Sequence, residues 1–305
     1  MPITSITGTN AIIVSVDGVV TTIDNVTGTS ISTGTLAQGV HTVEIRKKSE
    51  ASFGSITIGN PATSGSFSPT TQPRKRIEII GDSISVGYGL DGTYPCTNTA
   101  SLEDAPQTYG ALTAKNLSAD YSIVAWSGKG IIRNYVTASG DDGQPTVPEL
   151  WTRYGANDAD NTYDFKLPVD IVVVNLGTND FGFTAYDASG TPFQARPLLN
   201  MTDYTNALVK FAKTIQGKYA NAELFITSSP LIGDGYPPED PMQKTKQQNA
   251  IKAAVAQIGG SKAHFVDFPS QDSSNNNIGC DYHPSALTQQ RDAVILTAAI
   301  KAVLG

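Results

Sequence analysis

Two different apolar patterns divide this chain. Up to about residue 60 the apolar positions fall in short β-branched or alternating runs: Ala11–Asp17 (AIIVSVD), Val19–Ile23, His41–Arg46 (HTVEIR) and Ser55–Ile58. A period of two marks strands with one buried face, and no helical period of any length intervenes. Asp17-Gly18, between the first two runs, predicts a tight hairpin. Residues 1–60 therefore form one β unit. Residues 60–73 form a polar stretch rich in Pro, Ser and Thr (NPATSGSFSPTTQP), and residues 61–74 read as a linker.

From residue 75 to 305 the pattern changes. Continuous apolar runs at Arg76–Ile80, Tyr121–Trp126, Val169–Leu176, Ala222–Thr227 and Ala263–Phe268 predict five strands. Between and after them, residues 105–118, 203–219, 243–258 and 285–303 carry helical spacing. Uninterrupted apolar strands alternating with helices predict a parallel sheet covered on both faces. Such sheets bind ligands at the carboxyl ends of their strands.

Charge narrows the partners. With 21 Lys+Arg against 28 Asp+Glu the chain carries −7 and has no basic block, which excludes phosphate-backbone recognition and so nucleic acid. No run approaches the ~20 apolar residues of a membrane span. The three histidines, His41, His264 and His283, and the two cysteines, Cys96 and Cys280, are too scattered for a common zinc site, so no metal is expected. The opening residues MPITSITGTN lack the basic and apolar segments of a signal peptide. The Thr-, Ser- and Asn-rich composition is that of a secreted protein from which a leader has been removed.

The residues just beyond the strands carry the chemistry. Strand one leads into Gly81-Asp82-Ser83-Ile84-Ser85, strand two into Trp126-Ser127-Gly128-Lys129-Gly130, and strand three into Gly177-Thr178-Asn179-Asp180; Cys280-Asp281-Tyr282-His283-Pro284 follows strand five. Taken singly, each is also an ordinary turn or helix cap. Together they place a serine, a glycine, an asparagine and a histidine on one sheet edge, in that order. That set provides a nucleophile, oxyanion donors and a general base for acyl transfer. The glycines of Gly87-Tyr88-Gly89-Leu90-Asp91-Gly92 match G-x-G-x-x-G, but they come after the serine turn and open no helix, so a dinucleotide site is rejected.

These four blocks resemble the SGNH (GDSL-like) hydrolases over about residues 75–305. The segments GDSISVGYG, AWSGKGIIRNY, NLGTNDF and GCDYHPS are similar to those of carbohydrate esterase family 2, which removes acetyl groups from sugars and plant polysaccharides. The resemblance implies a flavodoxin-like three-layer α/β/α catalytic domain with a five-stranded parallel sheet. It also implies a preceding β-sandwich of jelly-roll type, whose later strands LAQGVHTVEIRKKSEASFG resembles; the unit is short for a full jelly roll, so early strands are expected to be reduced or missing. It assigns Ser83 as nucleophile, His283 as base, and Ser83, Gly128 and Asn179 as the oxyanion hole. No cofactor and no obligate protein partner is implied, and the substrate is an acetylated oligo- or polysaccharide.

Several points stay open at this level. Many SGNH enzymes carry an orienting Asp three residues before the histidine; here Cys280 occupies that position and Asp281 follows it. The orienter is the Asp281 carboxylate, a backbone carbonyl, or nothing beyond a Ser–His dyad. Cys96 and Cys280 either brace the two loops as a disulfide or remain two buried thiols, and a secreted composition favours the bridge. Tyr88, Tyr94, Trp126, Tyr135, Phe181 and Tyr282 are sugar platforms or packing residues, with Tyr282 and Trp126 the chosen candidates for substrate binding. A lipase-like esterase or thioesterase of the same superfamily, and a non-catalytic carbohydrate-binding protein, are the alternative functions.

Overall fold

The computed structural model describes residues 1–68, 74–141, 143–274 and 277–305, so part of the linker at 69–73 lies outside the described residues. The N-terminal unit is two small antiparallel sheets. β1 (Ile3–Gly8) pairs with β5 (Gly54–Ile58), while β2 (Ile12–Val16) runs between β3 (Val19–Ile23) and β4 (Val43–Lys47). Ile12, Val14, Val26 and Ile31 are buried between them, and Ile3 and Ile56 pack on that core. This is a β-sandwich. In the β2–β3 turn, Asp17 and Gly18 have φ of 52° and 85°, the left-handed pair that a type I′ hairpin needs. The apolar pattern does not predict β1, because every residue of it after Ile3 is exposed and leaves little hydrophobic trace.

From Arg76 the chain alternates strand and helix. In order come β6 (Arg76–Gly81), α1 (Ser83–Val86), α2 (Tyr109–Asn116), β7 (Asp120–Ala125), the short hairpin β8 (Val136–Thr137) and β9 (Gly140–Asp141), and α3 (Val147–Leu150). Then follow β10 (Ile171–Asn175), α4 (Thr178–Phe181), a second hairpin β11 (Thr184–Tyr186) and β12 (Pro192–Gln194), α5 (Met201–Lys218), β13 (Glu223–Thr227), α6 (Gln243–Ile258), β14 (Ala263–Val266) and α7 (Ala286–Leu304). The expected helix at 105–118 is split: Ala105–Gln107 form a 3-10 turn and Thr108, extended, restarts the chain into α2.

The five main strands are parallel in the order β7–β6–β10–β13–β14. That is the flavodoxin order, whose direction of winding reverses between β6 and β10. Gly81 lies opposite both Ala125 and Asn175, Asn175 opposite Thr227, and Thr227 opposite Val266. The carboxyl ends therefore finish level, and whatever follows them shares one edge.

Side chains alternate across the sheet. Ile77, Ile79, Ile171 and Val173 pack with Ala114 of α2 and Leu296 of α7, whereas Ile80, Val172 and Val174 pack with Leu208 and Phe211 of α5 and Ile251 of α6. Because both faces are buried, the strands read as unbroken apolar runs rather than alternating ones. Among the described residues, no helix is long and apolar enough to cross a membrane.

Candidate active site

Ser83 is the first residue of α1 and is buried, at 4% exposure. Asp82 caps that helix, its carboxylate accepting the Ile84 N–H at 3.0 Å. At the first helical position the Ser83 N–H is one of those a helix leaves without an internal acceptor. Burial, and then the nearby Asp180 carboxylate, push Asp82 up to about 7.

The turn after β7 aims a second donor at the same edge. Trp126 N–H donates to the Gly81 carbonyl, Ser127 N–H to Glu50 Oε2 at 2.7 Å, Lys129 N–H to the Trp126 carbonyl and Gly130 N–H to Asn134 Oδ1. Among the described residues the Gly128 N–H has no such acceptor. Gly128 holds φ of 80°, where a side chain would be strained, and its carbonyl accepts the Tyr135 N–H at 2.6 Å. Asn179, buried in α4, donates its amide to the Lys129 carbonyl at 2.9 Å and lies 3.4 Å from Asp82 Oδ2. Asp180 next to it accepts the N–H groups of Ile131, Ile132 and Arg133, clamping the chain just past Gly128.

His283 follows a backbone that doubles back. Asp281 and Tyr282 both have left-handed φ, 50° and 65°, a conformation that costs a non-glycine residue about 1 kcal/mol or more. The result is that the Asp281 carbonyl turns toward His283 Nδ1, 3.2 Å away. A carbonyl can only accept, so Nδ1 carries the proton and Nε2 keeps its lone pair. Of the three possible orienters this is the backbone carbonyl. The Asp281 carboxylate points elsewhere: it accepts the Tyr88 hydroxyl at 2.9 Å and the Asn98 N–H at 3.3 Å. The expectation of Asp281 as a side-chain orienter is corrected accordingly, and the cause is the left-handed turn. Burial pushes the His283 imidazole down to about 4, against the pull of the Asp281 carbonyl and charge.

The loop is braced from several sides. Cys280 is disulfide-bonded to Cys96, the Cys280 N–H donates to the Gly89 carbonyl, and the Asp281 N–H to that of Cys96. A Cβ at Gly89 would overlap Cys280 Cβ, and one at Gly92 would overlap both sulfur atoms. Two of the three glycines that imitate a dinucleotide motif, Gly89 and Gly92, thus make room for the disulfide, while Gly87 packs on the Asp104 backbone.

The aromatic candidates separate. Tyr282 is exposed and its hydroxyl accepts that of Tyr94 at 2.8 Å. These two rings and the 95–97 chain line an open cleft of about 450 Å3. Trp126 is half-buried with the Lys129 ammonium 5.9 Å from its ring, and among the described residues no contact joins it to Tyr282. Phe181 is core, packed on Tyr204. Tyr88 stacks on the His283 imidazole with centroids 4.0 Å apart. His41 pairs with Asp17 and His264 with Glu223, remote from these loops. Neither Tyr88's contact with the His283 ring nor Glu50's contact with the Gly128 turn has a sequence signature, because each joins distant segments.

Strand order and the placement of the serine and asparagine on either side of the switch point define the α/β fold of the SGNH hydrolases. Residues 79–291 match the model of the GDSL-like Lipase/Acylhydrolase family. The structure superposes with a TM-score of 0.90 on a carbohydrate esterase family 2 enzyme with a carbohydrate binding domain from Corynascus thermopiles (Myceliophthora fergusii), at 49% identity, covering 100% of this chain and 90% of that one. The chain is 32% identical over 270 residues to an acetylxylan esterase / glucomannan deacetylase of Cellvibrio japonicus, covering 86% of this chain and 69% of the relative. It is 33% identical over 286 residues to the cellulase/esterase CelE of Acetivibrio thermocellus, covering 88% of this chain but spanning only 31% of that protein. The chain belongs to the GDSL-like lipase/acylhydrolase family and, within it, to carbohydrate esterase family 2.

Proposed function

We propose that this chain is an exported serine esterase that removes O-acetyl groups from carbohydrates of the acetylated xylan and glucomannan type. The observation that carries the reading is the His283 ring, stacked on Tyr88 five residues beyond Ser83, with Nδ1 committed to a carbonyl. Nε2 is then the base. Ser83 Oγ attacks the acetyl carbonyl as His283 takes its proton. The oxyanion is held by the N–H groups of Ser83 and Gly128 and by the Asn179 amide, whose long contact to Asp82 yields to the developing charge. Collapse expels the sugar alkoxide, which takes the proton from His283. Water, deprotonated by the same nitrogen, attacks the acetyl-enzyme and releases acetate.

The cleft lined by Asp281 and Tyr282, the two residues before His283, suits this substrate. Its lining of Tyr94, Tyr282, Thr97 and Asp281 offers ring faces and polar groups to a sugar rather than a channel to a long acyl chain. The disulfide supports an oxidising, extracellular location. Every step uses groups of this chain, so EDTA should leave the rate unchanged.

The test is acetate release from acetylated xylan and glucomannan, with p-nitrophenyl acetate and butyrate alongside, for wild type, Ser83→Ala and Asn179→Ala. Ser83→Ala should fall to background and Asn179→Ala by about 10²–10³ in turnover. Turnover of the butyrate ester with no release from polysaccharide would move the substrate to lipid or thioester chemistry.

A further inference from the structure

Glu50 belongs to the N-terminal β unit, yet its carboxylate ends beside the oxyanion turn. The segment 48–50 after β4 is buried: Lys48, Ser49 and Glu50 are 3%, 4% and 7% exposed. It docks on the loop that follows α1. Lys48 Nζ binds the Ser101 carbonyl at 2.6 Å and the Asp91 carboxylate at 2.7 Å, and the Ala105 N–H donates to the Lys48 carbonyl at 3.1 Å.

From this anchor two hydrogen-bonded paths run to the site. In one, Glu50 Oε2 accepts the Ser127 N–H at 2.7 Å, directly before Gly128. In the other, the Glu50 N–H donates to Glu103 Oε2 at 2.6 Å, Asn98 Nδ2 donates to Glu103 Oε1 at 2.8 Å, and the Asn98 N–H reaches the Asp281 carboxylate at 3.3 Å. The Glu50 residue thus holds the glycine turn with its side chain and the histidine loop through its backbone.

We propose that Glu50 is a positioning residue for the acyl-transfer site, holding the Gly128 N–H in place through Ser127, so that the β unit completes the catalytic domain. This rests on the esterase reading above. The bond acts on the peptide adjoining the oxyanion donor, where a displacement of about 1 Å can cost 10²-fold in rate.

The hydrogen-bond pattern fixes which substitution mimics the native group. Glu50 Oε1 faces the Ser52 hydroxyl at 2.7 Å, and a hydroxyl can donate or accept. Glutamine at 50 can therefore accept from Ser127 through its oxygen and donate to Ser52 through its nitrogen. Aspartate keeps the charge but is one methylene too short to reach Ser127.

The test compares wild type with Glu50→Gln, Glu50→Asp and Glu50→Ala in the full chain. Functional sites are counted by covalent phosphonate labelling of the serine, and turnover of p-nitrophenyl acetate is expressed per labelled site. Amide hydrogen exchange of the peptide spanning 124–131 is read in parallel. Expected are a kcat per site within about threefold of wild type for Glu50→Gln and about 10–100-fold lower for Glu50→Asp and Glu50→Ala, with KM little changed. Exchange at 124–131 should quicken only in the latter two. Glu50→Asp and Glu50→Gln decide the matter even where Glu50→Ala does not fold. Glu50→Asp keeping wild-type turnover and exchange while Glu50→Gln loses both would overturn the proposal and assign the residue a charge role. So would equal, wild-type values in every folded variant. A wild type without serine-dependent turnover would defeat the esterase reading instead, and the exchange pattern would still decide whether Glu50 holds the turn.

Discussion

The ring of Tyr88 lies flat against the imidazole of His283, with centroids 4.0 Å apart and planes 25° from parallel. Its backbone N–H donates to the Ser83 carbonyl at 3.1 Å and its hydroxyl to the Asp281 carboxylate at 2.9 Å. Burial, and then that bond to Asp281, push the phenol well above its ordinary range, so it stays a donor. One residue therefore touches both the serine turn and the histidine loop, segments about two hundred positions apart in the chain.

Removing the ring should free the imidazole to leave its working rotamer. Tyr88→Ala is expected to lower kcat on p-nitrophenyl acetate by about 10–100-fold. Tyr88→Phe keeps the stacked face and loses one hydrogen bond, so it should stay within about fivefold of wild type. Saturating initial rates check this. Equal losses in the two variants would assign the effect to the hydroxyl and its tie to Asp281 rather than to the stacked face.

Asp281 gives the sharpest contrast with a Ser-His-Asp triad. Losing the orienting carboxylate of such a triad costs about 10⁴ in kcat. Here the Nδ1 acceptor is the Asp281 carbonyl, which every substitution retains. Asp281→Asn still offers an oxygen to Tyr88 and Asn98 and suits the left-handed backbone, whereas Asp281→Ala loses that tie and adds backbone strain. Both are expected within about tenfold of wild-type kcat. A loss approaching the triad value in Asp281→Asn would return the orienting role to the carboxylate.

That ambiguity shows where sequence reading ends. The five parallel strands and the level edge were legible because buried strands leave unbroken apolar runs, and their ends set the positions of Ser83, Gly128 and Asn179. Which way Asp281 presents its side chain depends on two consecutive left-handed residues, a conformation that no propensity predicts for Asp-Tyr. Likewise β1 hides in a run whose residues are nearly all exposed, and Glu50 reaches Ser127 across 77 positions. Local pattern reports burial and turns; it does not report which distant segments meet.

In the proposed mechanism the base, His283, sets the acid limit of the reaction. His283 must be neutral to accept the serine proton, and burial lowers it to about 4. Activity should therefore persist as pH falls past the ordinary imidazole value of about 6.5 and fail only near pH 4–5. Acetate release followed from pH 3.5 to 8 at constant ionic strength gives the profile of kcat/KM. An acid limb centred at 6.5 or higher would mean that the ring is solvated in the working enzyme.

Stability should run the opposite way with pH. Burial raises Asp82 to about 7, Asp104 and Asp292 to about 6, and Glu103, also beside Glu50, to about 8. An acid whose folded pKa exceeds its unfolded value binds its proton more tightly when folded. Its contribution is full below about pH 4 and is lost as pH climbs through the folded value. His283 acts in reverse, losing stability as pH falls from about 6.5 toward 4, and the buried Lys47 and Lys244, lowered to about 8, oppose the trend only from about pH 7 upward. Surface carboxylates held low by hydrogen bonds, such as Asp17 and Asp187, matter only below the usual carboxylate range. The melting temperature is thus expected to peak near pH 5 and decline toward pH 8. Thermal unfolding at half-unit steps and fixed salt checks it. A melting temperature that rises from pH 5 to 8 would mean that these four carboxyls are ionised and well partnered in the folded protein.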